Sequence, residues 1–228
     1  MPGMDGYEAT RRLKENLETR DIPIILITAL DDLRDKIKGL EVGADEFLNK
    51  PLRHNELISR VKSLVRLKQY QDELKFHGHS TEALMNQHQD GPSKILLVED
   101  DEKDIKLIKA YLQEEPYQID HVYSGEEALS IVSHAKIDLV LLDILLPQMN
   151  GFDVIHRIRE MESARRIQIL AITSLQELEN KVKAIEIGAD DYLIKPVDRH
   201  ELKLRIKTLL KKKAYLDLLS GQRISKSG

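Results

Sequence analysis

The chain has 228 residues, enough for one or two domains, with 41% apolar residues, 32% charged residues and a formal charge of −4. This composition is typical of a globular protein, and the net charge gives no overall electrostatic case for nucleic-acid binding. No apolar run in the sequence is long enough to cross a bilayer. The absence of cysteine excludes disulfides, thiolate metal sites and thiol catalysis, and it fits a cytoplasmic location.

An internal repeat is visible from the first residues of the chain. Residues 2–7 (PGMDGY) return as residues 147–152 (PQMNGF), and residues 43–51 (GADEFLNKP) return as residues 188–196 (GADDYLIKP). Both pairs of segments are 145 positions apart, so the two copies align without a gap. A constant offset over this length indicates a duplicated domain.

The first copy contains only the second half of the repeated unit. Its pattern predicts a helix over 6–17, a strand over 22–28, a helix over 33–42, a strand over 46–48 and a long helix from about 55 to 76. The long helix carries an apolar stripe at steps of three and four residues, and we expect it to project beyond the domain. Residues 77–92 are mostly polar with Gly and Pro, which is typical of a linker.

The second copy is complete and predicts five strands alternating with five helices. The strands are expected at 94–98, 118–122, 139–142, 168–173 and 192–194, and the helices at 103–113, 124–133, 152–162, 177–187 and beyond residue 198. Ser124 with Glu127, and Asp198 with Glu201, have the spacing of capping boxes. This alternation predicts an α/β fold in which helices cover both faces of a parallel sheet.

Asp143 lies at the centre of this pattern. The residues from Leu139 to Leu142 form a continuous apolar run, which is typical of a parallel strand buried on both faces. A buried carboxylate is costly, so we expect Asp143 at the carboxyl edge of the sheet, where open α/β sheets place their ligands. Asn150 and Gly151 then turn the chain into the next helix.

Several polar side chains follow the other strands and are expected at the same edge. These residues are Glu99, Asp100, Thr173 and Lys195. Neighbouring carboxylates repel one another unless a cation is present, and their oxygens suit Mg²⁺. An aspartate in this position can attack phosphorus as a carboxylate nucleophile, while Thr173 and Lys195 supply a hydroxyl donor and a cation to the phosphoryl oxygens.

These residues resemble the signature of CheY-like receiver domains of two-component response regulators. The resemblance covers residues 93 to about 212 and includes Val98 to Asp100, Asp143, Pro147 with Asn150 and Gly151, Thr173, and Lys195 with Pro196. It implies a flavodoxin-like sheet of five parallel strands in the order 2-1-3-4-5, with helices on both faces and a half copy of the same unit before it.

The resemblance also implies a role for each residue. Asp143 is the phosphoacceptor, and Thr173 and Lys195 bind the phosphoryl group. The Mg²⁺ ligands are Glu99 through a water, Asp100, Asp143 and the backbone carbonyl of Leu145. Tyr192 is an aromatic switch, and the bond between Lys195 and Pro196 is cis. The implied partners are a sensor histidine kinase or a phosphotransfer protein, and a second copy bound through the receiver surface or the long helices. Neither nucleic acid nor a membrane is an expected direct partner.

The first copy matches this signature only in part. Thr28, Phe47, Lys50 and Pro51 occupy its phosphoryl-binding and switch positions, but the acceptor and both leading acids would precede Met1. As written, this copy cannot be phosphorylated, and it exposes the flank where its third strand would lie. Either the chain begins late, at an internal methionine, or the half unit packs against another copy or a partner, and we favour the late start.

The order of receiver and long helix, repeated twice, resembles PleD-type response regulators, which carry two receivers before a diguanylate cyclase domain. We expect a half receiver over 1–76, a linker over 77–92, a complete receiver over 93–212, and a helical extension over 213–228 toward a missing output domain. The cyclase signature of two glycines followed by acids is absent, so we expect a phosphoacceptor and not an enzyme.

Two other functions share some of these features. A phosphorylation-independent adaptor would use only the surfaces of the fold, and the complete set of acids and Lys195 argues against it. A haloacid-dehalogenase-like phosphatase has a second aspartate two residues after its nucleophile, where this chain has Leu145.

Leu145 and Leu175 are both apolar and would hinder an attacking water, so we expect a phosphoryl group that lasts minutes or longer.

Overall fold

The structure is a computed structural model that describes residues 4–29, 39, 42–52, 54–76, 91–164, 166–174 and 184–225. The chain forms two compact units, Met1–Gly78 and His79–Gly228, which are called the first and the second unit below. The predicted helices over 33–42 and 177–187 and the predicted linker over 77–92 lie mostly outside the described residues, and Leu175 lies outside them. No helix in the described part of the chain is long and apolar enough to span a bilayer.

The first unit contains four described elements. They are α1 (Gly6–Glu15), β1 (Ile25–Thr28), β2 (Glu46–Asn49) and α2 (His54–Phe76), and β1 pairs with β2 in parallel. The helix α1 ends two residues before the predicted end because Asn16 leaves the helical conformation as the C-cap. The strand β1 begins at Ile25 and not at Ile22, since Pro23 lacks the N–H that a strand ladder requires.

The second unit contains five described strands and four described α-helices, and most of the segment between its last two strands lies outside the described residues. Its elements are β3 (Ser93–Val98), α3 (Glu102–Leu112), β4 (Tyr117–Val122), α4 (Gly125–His134), β5 (Leu139–Asp143), α5 (Gly151–Glu160), β6 (Gln168–Thr173), β7 (Asp191–Ile194) and α6 (Arg199–Ser225). Every strand pair is parallel and the order is β4-β3-β5-β6-β7, which confirms the predicted sheet. The helix α5 ends two residues earlier than predicted and is followed by a 3-10 turn over Glu162–Ala164.

The strand β5 lies at the centre of the core, and all five of its residues are buried. Val140 and Leu142 face an apolar layer that includes residues of α4 and α5, while Leu139 and Leu141 face a layer that includes residues of α3 and α6. Because helices cover both faces, the strand has no polar alternation until it ends at Asp143. This arrangement explains the apolar run in the sequence.

Side-chain caps fix the starts of the helices that follow the strands. Asp101 accepts hydrogen bonds from two backbone N–H groups at the start of α3, and Ser124 and Asn150 cap α4 and α5. Asp198 accepts from the backbone N–H of Glu201 at 2.9 Å, as the predicted capping pattern requires. Val98 ends β3 and Glu102 begins α3, while Asp143 ends β5 and Gly151 begins α5, so both capped helix starts follow strands that end at the carboxyl edge.

Candidate functional site

Three of the predicted acids meet at the carboxyl edge of the sheet in the second unit. Glu99 and Asp100 follow β3, and Asp143 ends the neighbouring strand β5. One carboxylate oxygen from each of the three residues lies within 4.8 Å of the others. We call these three residues the acid cluster. Glu99 and Asp143 are buried and Asp100 is exposed, so the cluster opens to solvent on the side of Asp100.

The turn after β5 fixes the Asp143 carboxylate. Its Oδ1 accepts a hydrogen bond from the backbone N–H of Leu145 at 2.7 Å. The backbone N–H of Gly151 donates to the carbonyl of Ile144 at 3.0 Å, which closes the loop. A Cβ atom at Gly151 would lie 2.6 Å from the Asp143 carbonyl oxygen, so only glycine permits this approach. The Asn-Gly pair at the end of this loop is thus a requirement of its geometry.

Lys195 brings a positive charge to the acid cluster. Its Nζ lies 2.6 Å from Asp143 Oδ2 and 2.8 Å from Glu99 Oε2. The backbone N–H of Lys195 donates to the Thr173 carbonyl at 2.9 Å, which anchors the loop after β7 to the end of β6. The peptide bond from Lys195 to Pro196 is cis, as the sequence resemblance implied.

Burial and charge shift the proton affinities of the site in a consistent way. Burial and the nearby Asp143 carboxylate together raise the pKa of Glu99 to about 7, against the opposing hydrogen bond from Lys195. Burial alone would lower the pKa of Lys195, but its hydrogen bonds with the surrounding carboxylates outweigh this and raise it. The site therefore has too little positive charge for its carboxylates and favours the binding of a cation or a proton.

The oxygen atoms of the acid cluster fit a hard divalent cation. Carboxylate oxygens are the ligands that Mg²⁺ prefers, and the exposed side of the cluster leaves room for the waters that Mg²⁺ retains. The carbonyl of Leu145, the other predicted ligand, belongs to the same loop as Asp143. The chemistry of the predicted ligand set thus agrees with Mg²⁺, with Glu99, Asp100 and Asp143 as the residues that would hold it.

Two other predicted residues lie deeper in the unit. Thr173 ends β6 and is buried beside the anchor of the Lys195 loop. Tyr192 lies on β7 with 5% of its surface exposed, inside the apolar layer that includes α4 and α5. The role of Tyr192 as a switch stays a prediction, and its movement would require this packing to change. Leu145 lies at the rim of the site and is 47% exposed.

Sequence reasoning missed one residue of the site. Asp104, on the first turn of α3, places its Oδ2 2.6 Å from Lys195 Nζ, as close as the Asp143 carboxylate. Asp104 is one of the acids in the run that follows β3, and this acidic run was the available signal. The sequence alone did not indicate which of the acids at the start of α3 faces the sheet edge.

Comparisons with known proteins give a consistent result. A family model described as response regulator receiver domain matches residues 1–62 and 95–207. The chain is 36% identical over 225 residues to response regulator PleD of Caulobacter vibrioides, an alignment that covers 96% of this chain and 49% of that protein. It is 40% identical over 119 residues to the transcriptional regulatory protein PcoR of Escherichia coli, covering 52% of each.

A solved structure agrees with these relatives. The crystal structure of the signal receiver domain of a protein from Vibrio parahaemolyticus is similar to this chain, with 33% identity and a TM-score of 0.54. The alignment covers 56% of this chain and 97% of that domain. The chain spans about half the length of the curated relatives that it matches.

Proposed function

This chain belongs to the family of response regulator receiver domains, and from this membership we propose that its second unit accepts a phosphoryl group on Asp143. The observation that carries the proposal is the position of the Lys195 ammonium group, which lies 2.6 Å from the Asp143 carboxylate beside the acid cluster. A carboxylate beside a fixed cation, in a turn open to solvent on one side, is suited to attack phosphorus and to bind the charged product.

The donor that we propose is a phosphohistidine of a sensor histidine kinase or a phosphotransfer protein in the cytoplasm. A carboxylate oxygen of Asp143 forms a bond to phosphorus while the bond from phosphorus to the histidine nitrogen breaks. The imidazole leaves and takes up a proton, and the product is an acyl phosphate on Asp143. Lys195 then donates to a phosphoryl oxygen, and the hydroxyl of Thr173 supplies a second donor.

Mg²⁺ would be held by Asp100, Asp143 and the carbonyl of Leu145, with Glu99 reaching it through water, and it would supply positive charge to the phosphoryl oxygens. The protein groups have their own functions around it. The buried Glu99 and the exposed Asp100 set the charge of the pocket, and the short loop that Gly151 closes keeps Asp143 in place.

The output that we propose is a change in an interaction surface. New charge on Asp143 draws the hydroxyl of Thr173 toward the phosphoryl group and lets Tyr192 turn, which alters the surface formed by the last two strands and helices of the unit. That surface, or the long helices α2 and α6, would then control association with a second copy or with an output domain. In this account the chain acts as a phosphoacceptor and not as an enzyme.

The division of the chain that we propose has four parts. Residues 1–76 form the second half of a receiver with an extended last helix, and residues 77–92 form a linker. Residues 93–212 form the complete receiver, and residues 213–228 form a helical extension and a tail. The family model supports this division because it matches the chain in two separate segments.

Labelling with a small phosphodonor tests the proposed function. The full chain is incubated with radiolabelled acetyl phosphate and Mg²⁺, and the label that remains on the protein is measured. We expect the wild type to be labelled, the Asp143→Asn variant to remain unlabelled, and the label to be lost when the metal is chelated. Asp120→Asn is the matched control, because Asp120 is exposed on the edge strand β4. Equal labelling of the wild type and Asp143→Asn would overturn the proposal.

A further inference from the structure

Three carboxylate oxygens surround the ammonium group of Lys195. A lysine ammonium group has three N–H donors and no acceptor. In the second unit Lys195 donates to Glu99 Oε2 at 2.8 Å and to Asp143 Oδ2 at 2.6 Å, and its Nζ forms an ion pair with Asp104 Oδ2 at 2.6 Å. A phosphoryl oxygen that approaches Lys195 therefore competes with these carboxylates for the ammonium group.

The three carboxylates differ in how readily they can be replaced. The Glu99 side chain is 1% exposed, and Asp143 is the acceptor itself, with its other oxygen bound to the backbone N–H of Leu145. The Asp104 side chain is 33% exposed and lies on a helix turn that solvent reaches. Water can solvate Asp104 after it separates from the ammonium group. Of the three carboxylates, Asp104 is therefore the one whose separation from Lys195 costs the least free energy.

The acids beside Asp104 have other partners. Asp101 caps α3 by accepting hydrogen bonds from the backbone N–H groups of Lys103 and Asp104. Glu102 accepts from the Tyr123 hydroxyl at 2.7 Å and pairs with Lys106 at 3.6 Å. Within the first turn of α3, which the structure describes in full, Asp104 is thus the acid that reaches Lys195.

We propose that Asp104 is a positioning residue that competes with the incoming phosphoryl group for Lys195 and so limits the phosphorylation of Asp143. This inference rests on the proposed function of Asp143. Asp104 holds the ammonium group toward α3 through this ion pair. Removal of this charge releases the ammonium group from the ion pair, so both the rate and the extent of phosphorylation rise.

The test compares Asp104→Asn with a matched variant of the same turn, Glu102→Gln. Both substitutions remove one negative charge, but only Asp104 contacts Lys195. We expect Asp104→Asn to raise the rate of phosphorylation by acetyl phosphate and the affinity for beryllofluoride, a phosphoryl analogue, by about three- to tenfold with Mg²⁺ present. For Glu102→Gln we expect a change of less than about twofold, since its charge is screened by solvent.

A second background separates positioning from a general structural effect. In a Lys195→Ala chain, beryllofluoride binding is weaker, and we expect Asp104→Asn to have no additional effect because the group it competes for is absent. A gain that persists without Lys195, an equal gain in Glu102→Gln, or no gain in Asp104→Asn would each overturn the inference. If the wild type is labelled on Asp143 and Asp104→Asn gains nothing, only this inference fails. If the wild type takes no label, the proposed function fails.

Discussion

The two units build the same parallel strand pair in the same register, but they differ in what surrounds it. In the first unit Ile25 pairs with Glu46, and in the second Leu170 pairs with Asp191, each residue shifted by 145 positions. Both units also contain the cis bond before the proline that follows the second strand of the pair. The local geometry of this strand pair is therefore specified by the repeated sequence itself.

An ion pair at corresponding positions of the two units accompanies the shared register. Lys14 with Asp45 in the first unit corresponds to Arg159 with Asp190 in the second, and each pair has an N–O distance of 2.6 Å. The aspartate also accepts a hydrogen bond from the backbone N–H of Ile24, just before β1, in the first unit and of Ile169, in β6, in the second. These cations and aspartates tie the turn before the second strand to the first strand, independently of any chemistry at the carboxyl edge.

The difference lies in the strands beside the pair. In the second unit β5 lies next to β6, and Ile172 is 0% exposed, whereas its counterpart Ile27 in the first unit is 44% exposed. Lys195 is surrounded by three carboxylates, whereas its counterpart Lys50 is exposed. The strand pair therefore places the lysine and the threonine, whereas the acids that meet them in the second unit come from β5 and from the segment after β3.

Removal of the lysine at the corresponding position of each unit, in separate variants, should give the largest difference in phosphorylation rate between the two units. Lys195→Ala removes the cation that faces the developing phosphoryl charge, and we expect phosphorylation by acetyl phosphate to slow by about 100-fold or more. Lys50→Ala is the matched control and should leave the rate unchanged. A loss of similar size in Lys50→Ala would contradict the assignment of the chemistry to the second unit.

Truncation of the corresponding isoleucines tests the exposed flank of the first unit. Ile172→Ala removes a completely buried side chain and should lower the free energy of unfolding by about 3 kcal/mol. Ile27→Ala removes a side chain that is 44% exposed and should cost less than about 1 kcal/mol. Urea unfolding followed by circular dichroism measures both values, and equal losses would mean that β1 is covered in solution.

The pH dependence of Mg²⁺ binding tests the electrostatics of the acid cluster. Glu99 has a pKa of about 7, so it binds a proton as the pH falls below 7, and the site then loses one negative charge. We expect the affinity for Mg²⁺ to fall by up to about tenfold per pH unit below 7, since each ion must displace this proton. Titration calorimetry between pH 6 and 8 should show a flatter profile for Glu99→Gln, and an equally steep profile would contradict this assignment.

The smallest expected effect concerns the rim of the site. Leu145 is 47% exposed beside the acceptor, where its side chain partly shields an acyl phosphate from water. We expect Leu145→Asn to shorten the lifetime of the phosphoryl group by about two- to fivefold, and the wild-type lifetime to be minutes or longer. The decay of label after removal of the phosphodonor measures both values, and a wild-type lifetime of seconds would contradict this prediction.

Much of the fold follows from local patterns in the sequence. The apolar run before Asp143 predicted a central strand because helices bury both of its faces, and Ser124 and Asp198 predicted the starts of α4 and α6 because side-chain caps satisfy free N–H groups. The predicted element boundaries were less accurate where a single residue sets them, as where Asn16 ends α1 and Pro23 delays the start of β1.

The meeting of the site residues also followed from the sequence, since parallel strands place their carboxyl ends together. The ion pair between Asp104 and Lys195 did not follow from the sequence, because it depends on how the first turn of α3 is oriented toward the loop after β7. The raised pKa of Glu99 was equally out of reach, since it arises from the degree to which the packed unit excludes water from that carboxylate. Both features depend on tertiary packing.

Location of the phosphoryl group in the full chain tests the central claim most directly. After reaction with acetyl phosphate and Mg²⁺, intact mass measurement counts the groups per chain, and reduction of the acyl phosphate with borohydride marks the acceptor for peptide mapping. The account predicts one phosphoryl group per chain, on Asp143, with none in the first unit. A second group, a different acceptor, or unchanged uptake by Asp143→Asn would contradict it.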